Sequence, residues 1–168
     1  MKTEDKERNL YNLDELSSYK VADSKKDVRG WKVKDADHKV VGEVDNLFVN
    51  KNTERVVYLD VKVNDSIISF NFKPYTTKVK DGVHDFINED GENHLIIPIG
   101  MATLDLEKEV VFTNRINHET FAQTRRFKKG TPLYRDYEVD VYGSYTRPNI
   151  ETTYPDDDTF YDHDDFNW

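Results

Sequence analysis

The sequence predicts a mainly β protein: a small, six-stranded antiparallel barrel with a short helical arm before it and an extension after it. Three observations predict this. From Val28 to about Ile116, apolar residues recur with period two, the spacing that sets them on one face of a strand. The runs are short and separated by polar turns, which suits a small barrel or sandwich. Strands this short leave exposed edges unless the sheet closes on itself.

Residues 1–27 read as an N-terminal arm. Leu10, Leu13 and Leu16 recur every third residue, the apolar edge of a short helical turn that Asn12 or Asp14 would cap, and Ser17 to Asp27 reads as polar loop. The barrel is assigned to 28–117. Trp31 to Lys34 alternates and leads into the turn Asp35-Ala36-Asp37-His38, after which Val40 to Val49 forms the second strand. Arg55 to Val63 is the clearest strand, with Val57, Leu59, Val61 and Val63 on one face and Val56, Tyr58, Asp60 and Lys62 on the other. Asn64-Asp65 reads as a tight hairpin turn into a strand through Ile68, Phe70 and Phe72. Leu95, Ile97 and Ile99 make the fifth strand. Pro98 lacks an N–H and so favours an edge or a bulge there. Glu109 to Asn114 is the sixth.

Residues 118–148 form an extension expected to pack on the barrel, with a helical turn at Glu119–Gln123 and an edge strand or draped segment around Tyr134 to Tyr142. Residues 149–168 read as a disordered acidic tail. Seven acids fall within 151–168 and no Lys or Arg, although Tyr154, Phe160, Tyr161, Phe166 and Trp168 alternate with them. Such a composition suits transient docking on a partner.

The 168 residues carry a net charge of −9, and the tail holds most of it. The first 150 residues contain the remaining 26 acids against all 24 basic residues, a net −2. Nucleic-acid binding needs a concentrated basic surface, and Arg125, Arg126, Lys128 and Lys129 are the one compact cluster, so nucleic acid is set aside. There is no cysteine, hence no disulfide, thiol nucleophile or cysteine-held metal. No apolar run is long enough to span a bilayer. Met1 to Arg8 is almost wholly charged, which predicts no secretory signal and a cytoplasmic address.

An enzyme needs converging acid, base or nucleophile groups. The five histidines, His38, His84, His94, His118 and His163, show no paired-ligand spacing. The acidic run around Asp162 lacks the glycine and terminal glutamate of a calcium loop. With no phosphate-cradling glycine loop or nucleophile elbow either, the expectation is a non-enzymatic chain with no cofactor and no metal. Tyr134, Tyr137, Tyr142 and Tyr145 are the partner-contact candidates, since tyrosine joins a large apolar body to a hydroxyl. The competing reading is that they cover the barrel's open side.

Several runs bring a family into view. Leu10-Tyr11-Asn12-Leu13-Asp14-Glu15-Leu16, Asp27-Val28-Arg29-Gly30-Trp31-Lys32-Val33, Gly42-Glu43-Val44-Asp45-Asn46-Leu47-Phe48-Val49 and Arg55-Val56-Val57-Tyr58-Leu59-Asp60-Val61 resemble the opening of a PRC-barrel domain. Leu95-Ile96-Ile97-Pro98-Ile99-Gly100, His118-Glu119-Thr120-Phe121-Ala122 and Pro132-Leu133-Tyr134-Arg135-Asp136-Tyr137-Glu138 are similar to the cytoplasmic domain of the photosynthetic reaction-centre H subunit. The likeness spans about 10–146. It implies a PRC-barrel fold, with Gly30 and Gly42 as structural glycines. It implies a docking or adaptor module for another protein, at the cytoplasmic face of a membrane complex. The alternatives are a reaction-centre H-like part in the photosynthetic light reaction and electron transfer, or a stress-response or small-ligand barrel. The likeness makes Asp60 a proton-path position, although Lys62 replaces the second carboxylate of that pattern. It leaves room for a homo-oligomer.

Overall fold

The computed structural model describes residues 10–15, 27–68, 77–79, 82–84, 91–147, 153–155 and 157–166. The chain is mainly β, but the sheet does not close. Nine strands are described: β1 (Leu10–Asn12), β2 (Lys32–Lys34), β3 (Val40–Asn50), β4 (Arg55–Val63), β5 (Thr77–Val79), β6 (Gly82–His84), β7 (His94–Pro98), β8 (Thr103–Asp105) and β9 (Val110–Phe112). Seven of them make one sheet in the order β7-β4-β3-β2-β9-β8, with β1 also pairing β3, while β5 and β6 form a separate hairpin. Three helices accompany them: the single turn α1 (Asp65–Ile68), α2 (His118–Gln123) and α3 (Arg135–Thr146). The six-stranded antiparallel barrel is therefore corrected to an open, mixed sheet. Its parallel member is β2 against β9, with Val33 opposite Val111, and the ends of the order, β7 and β8, do not pair with each other. A period-two pattern states which face a residue occupies and is silent on which strand lies alongside.

The long strands follow their side chains. β4 has the expected bounds, and its Val57, Leu59, Val61 and Val63 are all buried. Its other face is buried too, Tyr58 against α3 and the C-terminal segment and Asp60 against His94 and Asn12. Pro98 closes β7, an edge strand, where its missing N–H costs no ladder bond. Gly30 has φ +91°, and Gly42 lies where β2 and β4 flank β3. A Cβ on Gly42 would stand 2.4 Å from the Lys62 carbonyl oxygen, so only glycine lets β3 and β4 approach there. His38 takes φ +63°, in a turn whose Asp35 Oδ1 accepts from the N–H groups of Asp37 and Lys39, both at 2.9 Å.

Other expectations are corrected. Leu10–Asn12 is a strand paired with Phe48–Asn50, followed by a 3-10 turn at Leu13–Glu15, rather than one helical turn. Asp65 opens α1, so Asn64-Asp65 is not a hairpin turn. The strand through Phe70 and Phe72, Leu16 and the loop at 17–26 lie outside the described residues. From Arg135 onward the Tyr134–Tyr142 stretch is the helix α3, not an edge strand. The two acids Glu138 and Asp140 are buried within it, which breaks the apolar stripe that would announce a helix. Disorder across 149–168 is not what residues 157–166 show: they form two 3-10 turns, Asp158–Tyr161 and Asp164–Phe166, with Phe160, Tyr161 and Phe166 buried. The rings supply an apolar face that composition alone hides, because acids separate them.

Candidate functional site

The side of the sheet bearing Tyr58 and Asp60 carries two polar clusters. The first centres on Glu138 of α3. Its carboxylate oxygen Oε1 accepts from the Tyr58 hydroxyl at 2.8 Å and from the Tyr161 hydroxyl, and Oε2 accepts from Arg135 Nε at 3.3 Å. Burial pushes the Glu138 carboxyl above its ordinary value, against the opposing pull of the Arg135 charge and of these hydrogen bonds. Burial and the adjacent carboxylate also raise the Tyr58 and Tyr161 hydroxyls. At Arg135 burial works against the charge, and Glu138 and Tyr161 together more than offset it. One carboxylate thus joins a strand, a helix and the C-terminal segment.

Arg135 also fastens that segment directly. Its guanidinium lies 4.3 Å from the centre of the Phe160 ring and donates to the Pro155 carbonyl. Farther along, Asp165 accepts from Arg115 Nη2 at 2.6 Å and from the Tyr142 hydroxyl at 2.9 Å. Phe160, Tyr161 and Phe166 meet one another and Tyr58, Tyr142 and Tyr154 edge-on or tilted, with ring centres 5.3–6.4 Å apart. The segment's backbone rests on Gly100, where a Cβ would stand 2.1 Å from the Asp164 carbonyl oxygen. Gly100 is a floor for this seat.

The second cluster is a buried acid–imidazole pair. Asp60 of β4 and His94 of β7 are almost fully buried, and His94 Nδ1 lies 2.7 Å from Asp60 Oδ1. One proton is shared between the two atoms, and which of them carries it follows the tautomer of the ring. Lys62 is the cross-strand partner of His94 and Ile96 that of Asp60, so the pair meets on the diagonal of an antiparallel ladder. Asn12 Nδ2 donates to Asp60 Oδ2 at 3.2 Å. Asp45 joins them through a bulge: β3 pairs Val44 with Val61 but Asn46 with Asp60, leaving Asp45 as the extra residue. Phe127 packs over His94 at 5.4 Å between ring centres and is bridged to it through the backbone.

Of the residues singled out from sequence, Asp60 falls in this second cluster, and Gly30 and Gly42 shape the backbone. The four tyrosines do not share an open face. Tyr137 and Tyr145 are buried and donate to the carbonyls of Arg125 and Ile96, both at 2.8 Å. Tyr142 faces the C-terminal segment, and Tyr134 is the half-buried residue preceding α3. That segment occupies the place a partner would take on Tyr142. Sequence reading missed Glu138, His94, Asp45, Arg135 and Gly100. The acids within the tyrosine-rich run at 134–145 were the available signal for Glu138; nothing short of strand pairing joins His94 to Asp60. No helix of the described residues is long and apolar enough to cross a membrane. Compared with known proteins, the chain matches no family model and no curated protein.

Proposed function

We propose that this chain is a non-enzymatic docking protein, an adaptor whose cleft between β4, α3 and Gly100 receives an acidic, aromatic segment of a protein partner. The observation carrying the reading is that residues 157–166 of the chain itself lie in that cleft, with Phe160, Tyr161 and Phe166 buried and Arg115 and Arg135 holding acidic and carbonyl groups of the C-terminal segment. A cleft lined with rings and edged by arginines supplies what such a segment needs: apolar burial for the rings and charge-assisted donors for the acids. The chain's own segment then competes with the partner. The likeness of 10–146 to PRC-barrel proteins, a proposal resting on the residue runs alone, supports docking and suggests a partner at the cytoplasmic face of a membrane complex. A proton-delivery role has less support, because the exposed Lys62 stands where that pattern has its second carboxylate.

The test is capture of partners by the full-length chain from its own organism, identified by mass spectrometry, beside two variants. Phe160→Ala/Tyr161→Ala loosens the internal segment and is expected to raise recovery of a specific protein. Gly100→Ala raises the floor of the seat and is expected to abolish that recovery, as is an excess of a peptide spanning residues 149–168. A partner recovered equally with all three proteins, and undisturbed by the peptide, would place docking elsewhere and reject the cleft.

A further inference from the structure

The Asp45, Asp60 and His94 cluster is independent of the docking cleft. Its potential ligand atoms, one per residue, all lie within 4.8 Å of one another. Three neighbouring strands supply them, β3, β4 and β7, so the donors are carried by paired backbone rather than by a loop. Two features separate the group from an ordinary acidic surface patch. Asp60 and His94 are buried to 2% side-chain exposure or little more, and one donor is an imidazole. In addition, Asp45 Oδ2 has no contact with solvent and accepts no hydrogen bond; it has a cation beside it, the Lys129 ammonium at 3.0 Å, in ion-pair range without hydrogen-bond alignment. A buried carboxylate oxygen with no donor is uncommon and calls for a positive charge.

We propose that Asp45, Asp60 and His94 bind a divalent transition-metal cation of the zinc type through one imidazole nitrogen and two carboxylate oxygens. One nitrogen and two oxygens suit zinc or its neighbours better than calcium, which takes 6–8 oxygen ligands, or magnesium, which prefers an all-oxygen octahedron. Three protein ligands leave a fourth tetrahedral position for water. In a tetrahedron with bonds of about 2.0–2.2 Å the ligand atoms lie about 3.3–3.6 Å apart. Asp45 must therefore draw in, while His94 Nδ1 and Asp60 Oδ1, 2.7 Å apart, must part, the proton between them leaving to solvent as the metal takes its place. Asp45, with 30% of its side chain exposed, is the member free to turn, and its side is the way in. Asn12 holds the far oxygen of Asp60, the outer support such ligands ordinarily have. Lys129, 69% exposed, occupies the place of the metal's charge and is its competitor.

The experiment is equilibrium dialysis and calorimetric titration of the full-length, untagged chain with Zn²⁺, with circular dichroism to show that each variant is folded. One zinc per chain is expected. Asp45→Asn removes a ligand while leaving the buried pair in place, and weakens binding about tenfold or more, at least the loss that follows removal of an outer-shell partner. Lys129→Ala removes the competitor and tightens binding up to about fivefold, the worth of one exposed ion pair. Zinc also raises the Tm of the wild type and of Lys129→Ala more than that of Asp45→Asn. Absence of stoichiometric uptake overturns the proposal. So does uptake that Asp45→Asn leaves unchanged, which would assign the metal to another histidine, or uptake that Lys129→Ala weakens.

Discussion

Replacing Gly100 with alanine tests how the C-terminal segment is held. The new Cβ would stand 2.1 Å from the Asp164 carbonyl oxygen, and 2.5 Å and 2.7 Å from the Asp165 carbonyl carbon and Cα, against an ordinary contact of 3.4–4 Å. All three are backbone atoms, so no side chain can swing aside, and the segment must retreat by more than an ångström. Overpacking of this kind costs about 1–3 kcal/mol, and a backbone contact belongs at the upper end. The cost has a ceiling, because the chain can release the segment altogether. Burying Phe160, Tyr161 and Phe166 is worth about 1.5–3 kcal/mol each before the cost of ordering the segment, which offsets much of it. A loss of about 3 kcal/mol lowers Tm by about 6–12 °C for a chain of this size. Calorimetry on Gly100→Ala, on a chain ending at Pro148 and on the wild type reads this, with limited proteolysis following the segment itself. Both altered proteins should melt lower, and the point variant should fall no further than the truncation. If Gly100→Ala melts within about 2 °C of the wild type and its C-terminal segment is cut no faster, the seat on Gly100 does not hold the segment and the reasoning fails.

Three further outcomes are expected. Glu138 is held above its ordinary 4.5 by burial, so the native chain keeps that proton to higher pH than the unfolded chain does; its contribution to stability is whole below 4.5 and is lost as pH rises through the displaced value. In Glu138→Gln that part of the dependence is gone, which denaturant titrations across pH 4–8 would reveal as a difference from wild type that changes with pH. Asn117→Ala deletes the cap whose side chain accepts from the Thr120 N–H at 2.8 Å, and should cost about 1 kcal/mol in chemical denaturation without altering the segment's protection from protease. Gly42→Ala drives a Cβ into the Lys62 carbonyl and should cost about 3 kcal/mol or more; a near-normal denaturation midpoint would mean that β3 and β4 part more easily than their pairing implies.

Much of the sheet was legible, and the reason is local. Arg55–Val63 alternates so strictly that both of its ends could be read, and Val40–Asn50 was recovered to within one residue. The backbone demands at Gly30 and Gly42 were legible too, because glycine is the residue that positive φ and close approach favour, whereas the positive φ of His38, Glu54, Glu109 and Arg147 was not. What escaped depends on distant partners. The parallel pairing of Val33 with Val111 leaves no mark on either strand. The inward acids of α3 look like a solvated face until Tyr58 and Tyr161 are placed beside Glu138. Phe160, Tyr161 and Phe166 look like part of a disordered tail until a ring-lined cleft receives them. Asp60 was singled out by family likeness alone, and its tie to His94 requires the register of β4 on β7.

The hydroxyl of Tyr161 on Glu138 has a consequence for the order in which the molecule matures. Synthesis runs from the N-terminus, so α3 and its acid exist before residue 161 has been added, and the carboxylate must spend that interval hydrated or served by Tyr58 and Arg135 alone. The side on which α3 meets the sheet is therefore closed by turns made after the helix itself, Asp158–Tyr161 and Asp164–Phe166. Until residues 157–166 have folded against it, Glu138 lacks one of its donors and Tyr142 lacks its acceptor on Asp165.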